Sequence, residues 1–332
     1  MITQQSRVLH TLYGYLKLQD LPKINELWTG EGVSPVSISS PSLEDAVTVV
    51  FTNGKEIVCS PCQEFKTMQK RMAGSGWTQA KDLKKTHLIQ LTENAPSVNA
   101  AAFNHYRFLS KLTHEELGTL VGLLYSGGNG VCSIDIPFLR VEARQEFIRI
   151  LKKVDEDLVI ENYFDRTDRV KVYTLNENLI EEIKTLQVRD RVPEEAFYSK
   201  PFAKGFLKAI FTFSLVGTQM FTLRAEAKSN LLKDVQELLL LFNINSSYSP
   251  GFKASNLIVS KNNCYRLAVE IGVFNAEILF SGVDYTKFLK YNNRIMEDMR
   301  YASVHNVYPV KNQIEMVKVD IEQFMFDGVI AK

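Results

Sequence analysis

From residue 1 to about residue 95, apolar and polar positions alternate in short runs broken by turn residues. Arg7–Leu9 and Tyr15–Leu18 flank a turn at Tyr13-Gly14, and Val33–Ile38, Ala46–Phe51 and Glu56–Cys59 follow as further short strands. Asn53-Gly54, between the last two, is a hairpin signal, because both residues tolerate the left-handed backbone of a tight turn. Helical spacing is weak here, so the pattern predicts an all-β region.

Beyond about residue 100 the period changes. Glu115–Leu124 has helical spacing and stops at Ser126-Gly127-Gly128-Asn129-Gly130. A strand over Val131–Val141, a helix over Ala143–Val154, strands near Val159–Phe164 and Arg169–Leu175, and a helix over Glu177–Leu186 are predicted next. A similar order then returns: helix Phe202–Phe213, strand Gly217–Ala227, helix Asn230–Phe242 opened by Ser229, and strands near Ile244–Tyr248, Asn256–Ser260 and Tyr265–Ile271. A unit used twice predicts a duplicated α+β domain with internal pseudo-twofold symmetry. Strand patterns at Gln313–Ile321 and Phe324–Ala331 close the chain. If they complete the first β region, the middle is an insertion, which exposed loops tolerate well.

Composition narrows the function classes. Hydrophobic residues make up 45% and charged residues 23% of 332 residues, as expected for a globular chain able to bury more than one core. Apolar runs such as Leu117–Tyr125 and Leu238–Phe242 are far shorter than a membrane-spanning helix, and MITQQSRVLH lacks the features of a signal peptide, so no membrane role is expected. Four cysteines in this length imply no disulfide scaffold and fit a reducing cytoplasm. The net charge is +1, and Thr113 to Arg300 holds 24 Lys and Arg against 25 Asp and Glu, a net of −1. Nucleic-acid binders usually carry a basic footprint, and composition does not advertise one.

The first ninety residues resemble the N-terminal splicing region of an intein, the Hedgehog/intein (Hint) fold. Ile2-Thr3-Gln4-Gln5-Ser6-Arg7-Val8-Leu9 through Tyr13-Gly14-Tyr15 to Leu21 tracks the intein opening, with Met1 where a nucleophilic Cys or Ser stands. Gly54-Lys55-Glu56-Ile57-Val58-Cys59-Ser60-Pro61-Cys62-Gln63-Glu64-Phe65 keeps the frame of Gly-x-x-x-x-x-Thr-Pro-x-His-x-Phe, with Ser60 for Thr and Gln63 for His. Trp77–Leu83 is similar to the segment that closes the region. Phe324-Met325-Phe326-Asp327-Gly328-Val329-Ile330-Ala331 resembles the final splicing block, with Lys332 at the His position and no Asn after it. The middle resembles two LAGLIDADG homing-endonuclease repeats, in which each motif helix ends in a metal-holding acid. The motifs are Leu120-Val121-Gly122-Leu123-Leu124-Tyr125-Ser126-Gly127-Gly128 and Phe206–Leu215. Gly127 and Ser214 occupy the two acid positions, and neither supplies the charged oxygen that Mg²⁺ requires. Leu231–Leu240 and Tyr265-Arg266-Leu267 also follow the endonuclease pattern.

The resemblance implies a multi-domain chain. An all-β Hint-like domain formed by both chain ends (1–100 plus 305–332) is interrupted by LAGLIDADG-like repeats at 112–190 and 198–300, each of αββαββα type. Met1, Gln63, Gly127, Ser214 and Lys332 are then degenerate catalytic positions, and neither splicing nor cleavage is expected. The family contacts DNA from its saddle-shaped sheets. By position the contacts are Arg140, Arg166, Arg169, Lys171, Arg224, Lys253, Lys261 and Arg266, and Lys and Arg on strands are equally often solvated faces.

Other chemistry is thinly supported. Cys59 and Cys62 form C-x-x-C without a second pair, Cys132 and Cys264 being isolated. Ser126–Gly130 has the composition of an anion nest but lacks the Lys-Ser/Thr of a P-loop. His10, His87, His105, His114 and His305 are scattered, and no G-x-S-x-G elbow exists. Glu115, Glu116 and Asp135 lie near the first motif, as a rebuilt metal site or as helix-start and surface carboxylates. No cofactor or metal is expected. Three functions follow in order: a monomeric protein that binds double-stranded DNA without cutting it, a subunit docking a protein complex through the saddle or Hint surface, and an active nuclease or splicing element.

Overall fold

The computed structural model describes residues 1–10, 14–20, 26–29, 33–69, 75–91, 106–125, 128–129, 133–137, 141–156, 159–163, 169–173, 177–186, 190–217, 220–260, 262–274, 301–321, 323–327 and 329–332. The chain divides into two compact units. Unit 1 comprises Met1–Val98, Leu239–Ser249 and Thr286–Lys332, and unit 2 comprises Asn99–Leu238 and Pro250–Tyr285. A large antiparallel sheet dominates the first, and a few helices with small antiparallel sheets make up the second.

Unit 1 interleaves strands from distant parts of the sequence. Along its sheet, Arg7–His10 is followed by Phe324–Phe326, Val329–Ala331, Glu64–Gln69, His87–Gln90, Tyr301–Pro309, Val47–Phe51, Glu56–Cys59, Ile2–Thr3 and Ile314–Val317. The registers pair Val8 with Phe326, Phe65 with Ala331 and Ile2 with both Cys59 and Val317. Alternation explains the core: Val47, Val49 and Phe51 point inward from one strand while Thr48 and Val50 are only half-buried. Phe65, Phe324 and Phe326 are buried together, with ring centroids 5.5 Å apart for the stacked pair Phe324–Phe326 and 5.9 Å apart for Phe65–Phe326.

Asn53-Gly54 forms the predicted turn, with Gly54 at φ +79°. It also meets the Leu239–Ser249 segment of the same unit. Tyr248 N–H donates to Asn53 O at 2.7 Å, and Asn53 Nδ2 donates to Asn245 Oδ1 at 2.9 Å. A Cβ on Gly54 would stand 2.2 Å from Tyr248 O, so both the backbone angle and the close approach require glycine.

Unit 2 contains helices α1 (His114–Leu124), α2 (Val141–Val154), α3 (Glu177–Leu186), α4 (Glu195–Tyr198), α5 (Lys200–Ile210) and α7 (Asn262–Arg266), with α6 (Leu231–Leu240) starting in it. From α1 to α3 the order is helix, two strands, helix, two strands, helix, and the same order runs from α5 to α7. Thr113 starts α1 with a capping box: its Oγ1 accepts from Glu116 N–H, and the Glu116 carboxylate accepts from Thr113 N–H. Ser199 caps α5, accepting from Phe202 N–H, and Pro201 sits in its first turn, where no amide hydrogen is needed. α2 carries Glu142 in its first turn and Lys152 and Lys153 in its last, matching the helix dipole.

Most predicted elements lie within a few residues of those observed. Two are corrected: Tyr265–Ile271 is helical, as α7 followed by a π-helical turn at Leu267–Ile271, rather than a strand, and Phe324–Ala331 is two strands, Phe324–Phe326 and Val329–Ala331, paired antiparallel. No helix among the described residues is long and apolar enough to cross a membrane.

Candidate functional site

Two centres answer to the sequence expectations, one in each unit. In unit 1, strand Ile2–Thr3 lies against Glu56–Cys59, and Ser60 N–H donates to Met1 O at 3.0 Å. The chain then turns, with Gln63 N–H donating to Ser60 O at 3.0 Å, which carries Gln63 inward to 3% exposure. Its amide bridges two distant segments. Met1 N donates to Gln63 Oε1 at 2.8 Å, and Gln63 Nε2 donates to Lys332 O at 2.7 Å. Lys332 is also held by its own N–H on Glu64 O at 3.1 Å, by its ammonium 3.2 Å from the Glu64 carboxylate, and by the Trp77 ring, whose centroid lies 5.1 Å from Nζ. The structure thus gathers Met1, Gln63 and Lys332.

A neutral amide neither takes nor gives a proton near pH 7, and a thioether is not a nucleophile for acyl transfer. The nearest thiol on the neighbouring strand, Cys59, is fully buried, and that burial pushes it up to about 12, so it stays a neutral thiol. Cys62 is exposed on the turn, so the C-x-x-C pair is split between core and surface.

In unit 2, α1 and α5 cross with their backbones in contact. A Cβ on Gly118 would lie 2.0 Å from Phe202 O, one on Gly122 would lie 2.7 Å from Phe206 O, and one on Gly205 would lie 1.9 Å from Glu115 O. Glycine at Gly118 and Gly122, four residues apart on one helix face, together with Gly205 on the facing helix, permits this approach. Around the crossing, His114 Nδ1 lies 2.9 Å from Ser199 Oγ, and Lys204 pairs with Glu115 at 3.3 Å. The four-residue spacing of Gly118 and Gly122 is visible in the sequence, but no local pattern links it to Gly205.

Of the carboxylates near the first motif, Glu115 and Glu116 serve the helices, and Asp135 is on the strand Ser133–Pro137. Glu116, besides closing the capping box, accepts from Lys153 Nζ at 2.6 Å and lies 2.9 Å from Arg149 Nη1. Burial works against its ionisation, but the hydrogen bonds from Lys153, Thr113 and Arg149 outweigh it and hold the carboxyl at about 2. The folded value lies below the ordinary 4.5, so the stabilisation is present above that range and is lost as pH falls through about 2. Glu116→Gln is expected to lower stability at neutral pH by about 1 kcal/mol. Its unfolding midpoint should also lose part of the acid dependence of the parent between these two values, as thermal melts followed by circular dichroism would show. Among the described residues, no group of three or more His, Cys, Asp and Glu is placed to hold a metal.

Ser214 follows the 3₁₀ turn Phe211–Phe213, is 8% exposed, and donates its hydroxyl to Phe211 O at 2.6 Å. The Ser214 hydroxyl therefore closes the turn. Gly127 lies outside the described residues, as do Arg140, Arg166, Lys261 and Cys132.

Each motif helix leads into an antiparallel sheet. In the first, register places Asp135, Lys171 and Glu161 in one row across three strands, and Pro137, Arg169 and Tyr163 in another. In the second, Met220–Glu226 pairs with Ala254–Ser260. Phe221 and Leu223 are buried, whereas Met220, Arg224 and Glu226 are exposed on the other face, with Asn256 opposite Arg224. Lys253 is exposed at the start of the second strand. Arg266 departs from expectation: it ends α7, is 8% exposed, and points toward Glu270 at 4.0 Å, so it is not on the sheet face. On the exposed face of the second sheet, Arg224 and Glu226 stand two residues apart.

The sequence reading also missed contacts that hold unit 2 together. Glu182 accepts from the backbone N–H groups of Arg107, Phe108 and Leu109, and Arg191 pairs through two nitrogens with buried Asp234, both at 3.2 Å.

No protein-family model and no curated protein matches the chain. Solved structures that resemble it include full-length DUF199/WhiA from Thermatoga maritima, at 14% identity over 58% of this chain and 70% of that one, with a TM-score of 0.39. They also include I-DmoI in complex with DNA and Mn, at 11% identity over 48% of this chain and 96% of that one, with a TM-score of 0.39. The MchDnaB-1 intein matches at 19% identity over 27% of this chain and 66% of that one, with a TM-score of 0.22.

Proposed function

We propose that the chain is a Hint-like β unit carrying a LAGLIDADG-like unit, that neither splices nor cuts, and that unit 2 binds double-stranded DNA. One observation carries this reading: α1 and α5 cross backbone to backbone at Gly118, Gly122 and Gly205, and each leads into its own antiparallel sheet. That arrangement is what two LAGLIDADG-like motifs would need, and the motif residues Leu120–Tyr125 and Phe206–Ser214 fall on it. Loss of cleavage rests on Gly127 and on Ser214, whose hydroxyl is spent on Phe211 O. Loss of splicing rests on Met1, Gln63 and Lys332, which meet through an amide with no acid–base chemistry.

The near-zero net charge of Thr113 to Arg300, 24 Lys and Arg against 25 Asp and Glu, limits the number of phosphates neutralised. Duplex binding should therefore be weak, in the non-specific range of about 10⁻⁶ to 10⁻⁴ M at physiological salt, and shallow in its salt dependence. Anisotropy of a labelled duplex titrated between about 50 and 200 mM salt measures both, and supercoiled plasmid with Mg²⁺ or Mn²⁺ should stay intact. No binding at low salt would sink the reading, and metal-dependent nicking would restore the nuclease.

The same near-neutral charge favours a second reading, in which the saddle or Hint surface docks a protein partner. Its check is sedimentation of the purified protein: a partner-free monomer that binds duplex leaves it without support.

A further inference from the structure

At the turn between strands Ser247–Ser249 and Ala254–Ser260, the Phe252 side chain is 99% exposed. This is the most exposed large apolar side chain among the described residues, and it belongs to a hydrophobic residue that folding ordinarily hides. The turn is tight: a Cβ on Gly251 would lie 2.1 Å from Ala254 O. Ala227 N–H donates to Lys253 O at 3.3 Å, tying the tip to the end of the neighbouring strand. Phe252 therefore projects from a short, braced apex. Lys253 and Lys228 are exposed beside this junction, with Glu226 as the one exposed acid there among the described residues.

The surroundings separate two kinds of partner. A protein-docking hot spot sits in a contiguous apolar patch that sheds water around it. Among the described residues, the other exposed large hydrophobics of unit 2 are Val141, Met220 and Val269. Met220 is at the far end of its strand from Glu226, about 20 Å away at the usual rise per residue, and Val141 and Val269 are on helical segments elsewhere in the sequence. Among the described residues, no other exposed large apolar side chain is at this junction, where Lys228, Lys253 and Glu226 are exposed. A projecting aromatic ring with exposed Lys side chains at the same junction suits a base step flanked by phosphates, where apolar wedges unstack bases while Lys side chains hold the backbone.

We infer that Phe252, flanked by Lys228 and Lys253, is a wedge that inserts between base pairs of duplex DNA. This rests on the DNA-binding reading above and adds what that reading lacks, a contact whose strength does not come from net charge. The test uses the full chain, duplexes carrying 2-aminopurine at successive positions, and Phe252→Ala beside Phe252→Leu. A side chain exposed to this degree contributes nothing to the core, so both variants should melt as the parent does. The parent should raise 2-aminopurine fluorescence on binding. Phe252→Leu should retain the signal, and Phe252→Ala should lose it and bind about tenfold more weakly with an unchanged salt slope. Lys253→Ala should instead flatten the salt slope by about one and keep the signal. Duplex binding without a fluorescence change, or with an equal change in Phe252→Ala, overturns the wedge and leaves the DNA reading in place. No duplex binding at low salt removes both. Self-association lost in Phe252→Ala with no fluorescence change overturns the wedge and assigns the tip to a protein contact.

Discussion

Gly205→Val should cost unit 2 about 3 kcal/mol or more, the upper end of what overpacking does. The reason is geometric. Position 205 faces Glu115 O at 1.9 Å and Thr119 N at 2.7 Å from any Cβ placed there, and both are backbone atoms of α1 that no rotamer change can move aside. The helices must separate, and the side chains buried around them, Leu120, Leu123, Phe202 and Phe206 among them, lose close packing together. Even Gly205→Ala meets the same obstacle, so the loss should be large from the first methyl group, whereas Gly76→Ala, where nothing lies within 4 Å, should be nearly neutral. Urea melts of the three proteins check this, and a Gly205→Ala midpoint equal to that of the parent would mean that the helices do not touch as described.

Gln63→Leu is expected to cost unit 1 about 2 to 4 kcal/mol, because it strands two polar groups at once. The Met1 nitrogen loses its acceptor and Lys332 O loses its donor, in a position only 3% exposed. Gln63→Glu separates shape from hydrogen bonding: it keeps the acceptor for Met1 but has no donor for Lys332 O, so it should fall between Leu and the parent. Hydrogen exchange at the strands Ile2–Thr3 and Val329–Ala331 should rise in Gln63→Leu before exchange rises elsewhere in unit 1. Equal stability of Gln63→Leu and the parent would show that the amide holds nothing.

The strand-forming stretches were legible where side chains alternate, as in Val47–Phe51, and α3 was readable over its full length because its apolar face repeats cleanly. Tyr265–Ile271 was not, because a short apolar run with Val and Ile reads equally as strand or buried helix, and packing decides between them. The meeting of Met1, Gln63 and Lys332 was legible only through a motif frame, since no local pattern links residue 63 to residue 332. The glycine crossing was written in the spacing of Gly118 and Gly122, yet helix propensity counts such glycines only as weak points. Phe252 lay beyond sequence reading altogether: hydrophobicity predicts burial, and only the braced turn turns this ring outward.

The interleaved sheet of unit 1 also predicts an order of assembly. Val8 pairs with Phe326 across nearly the whole chain, whereas α1 and α5 meet within unit 2 at much shorter separation. Distant pairings are entropically slow to form, and the cost of closing a loop grows with the length of flexible chain inside it. Once unit 2 has folded, most of that length is no longer flexible, and the strands at the two ends search a far smaller volume. Early compaction of the middle is thus a kinetic aid to the sheet that surrounds it in sequence. Substitutions that loosen the glycine crossing would then slow the folding of residues they never touch.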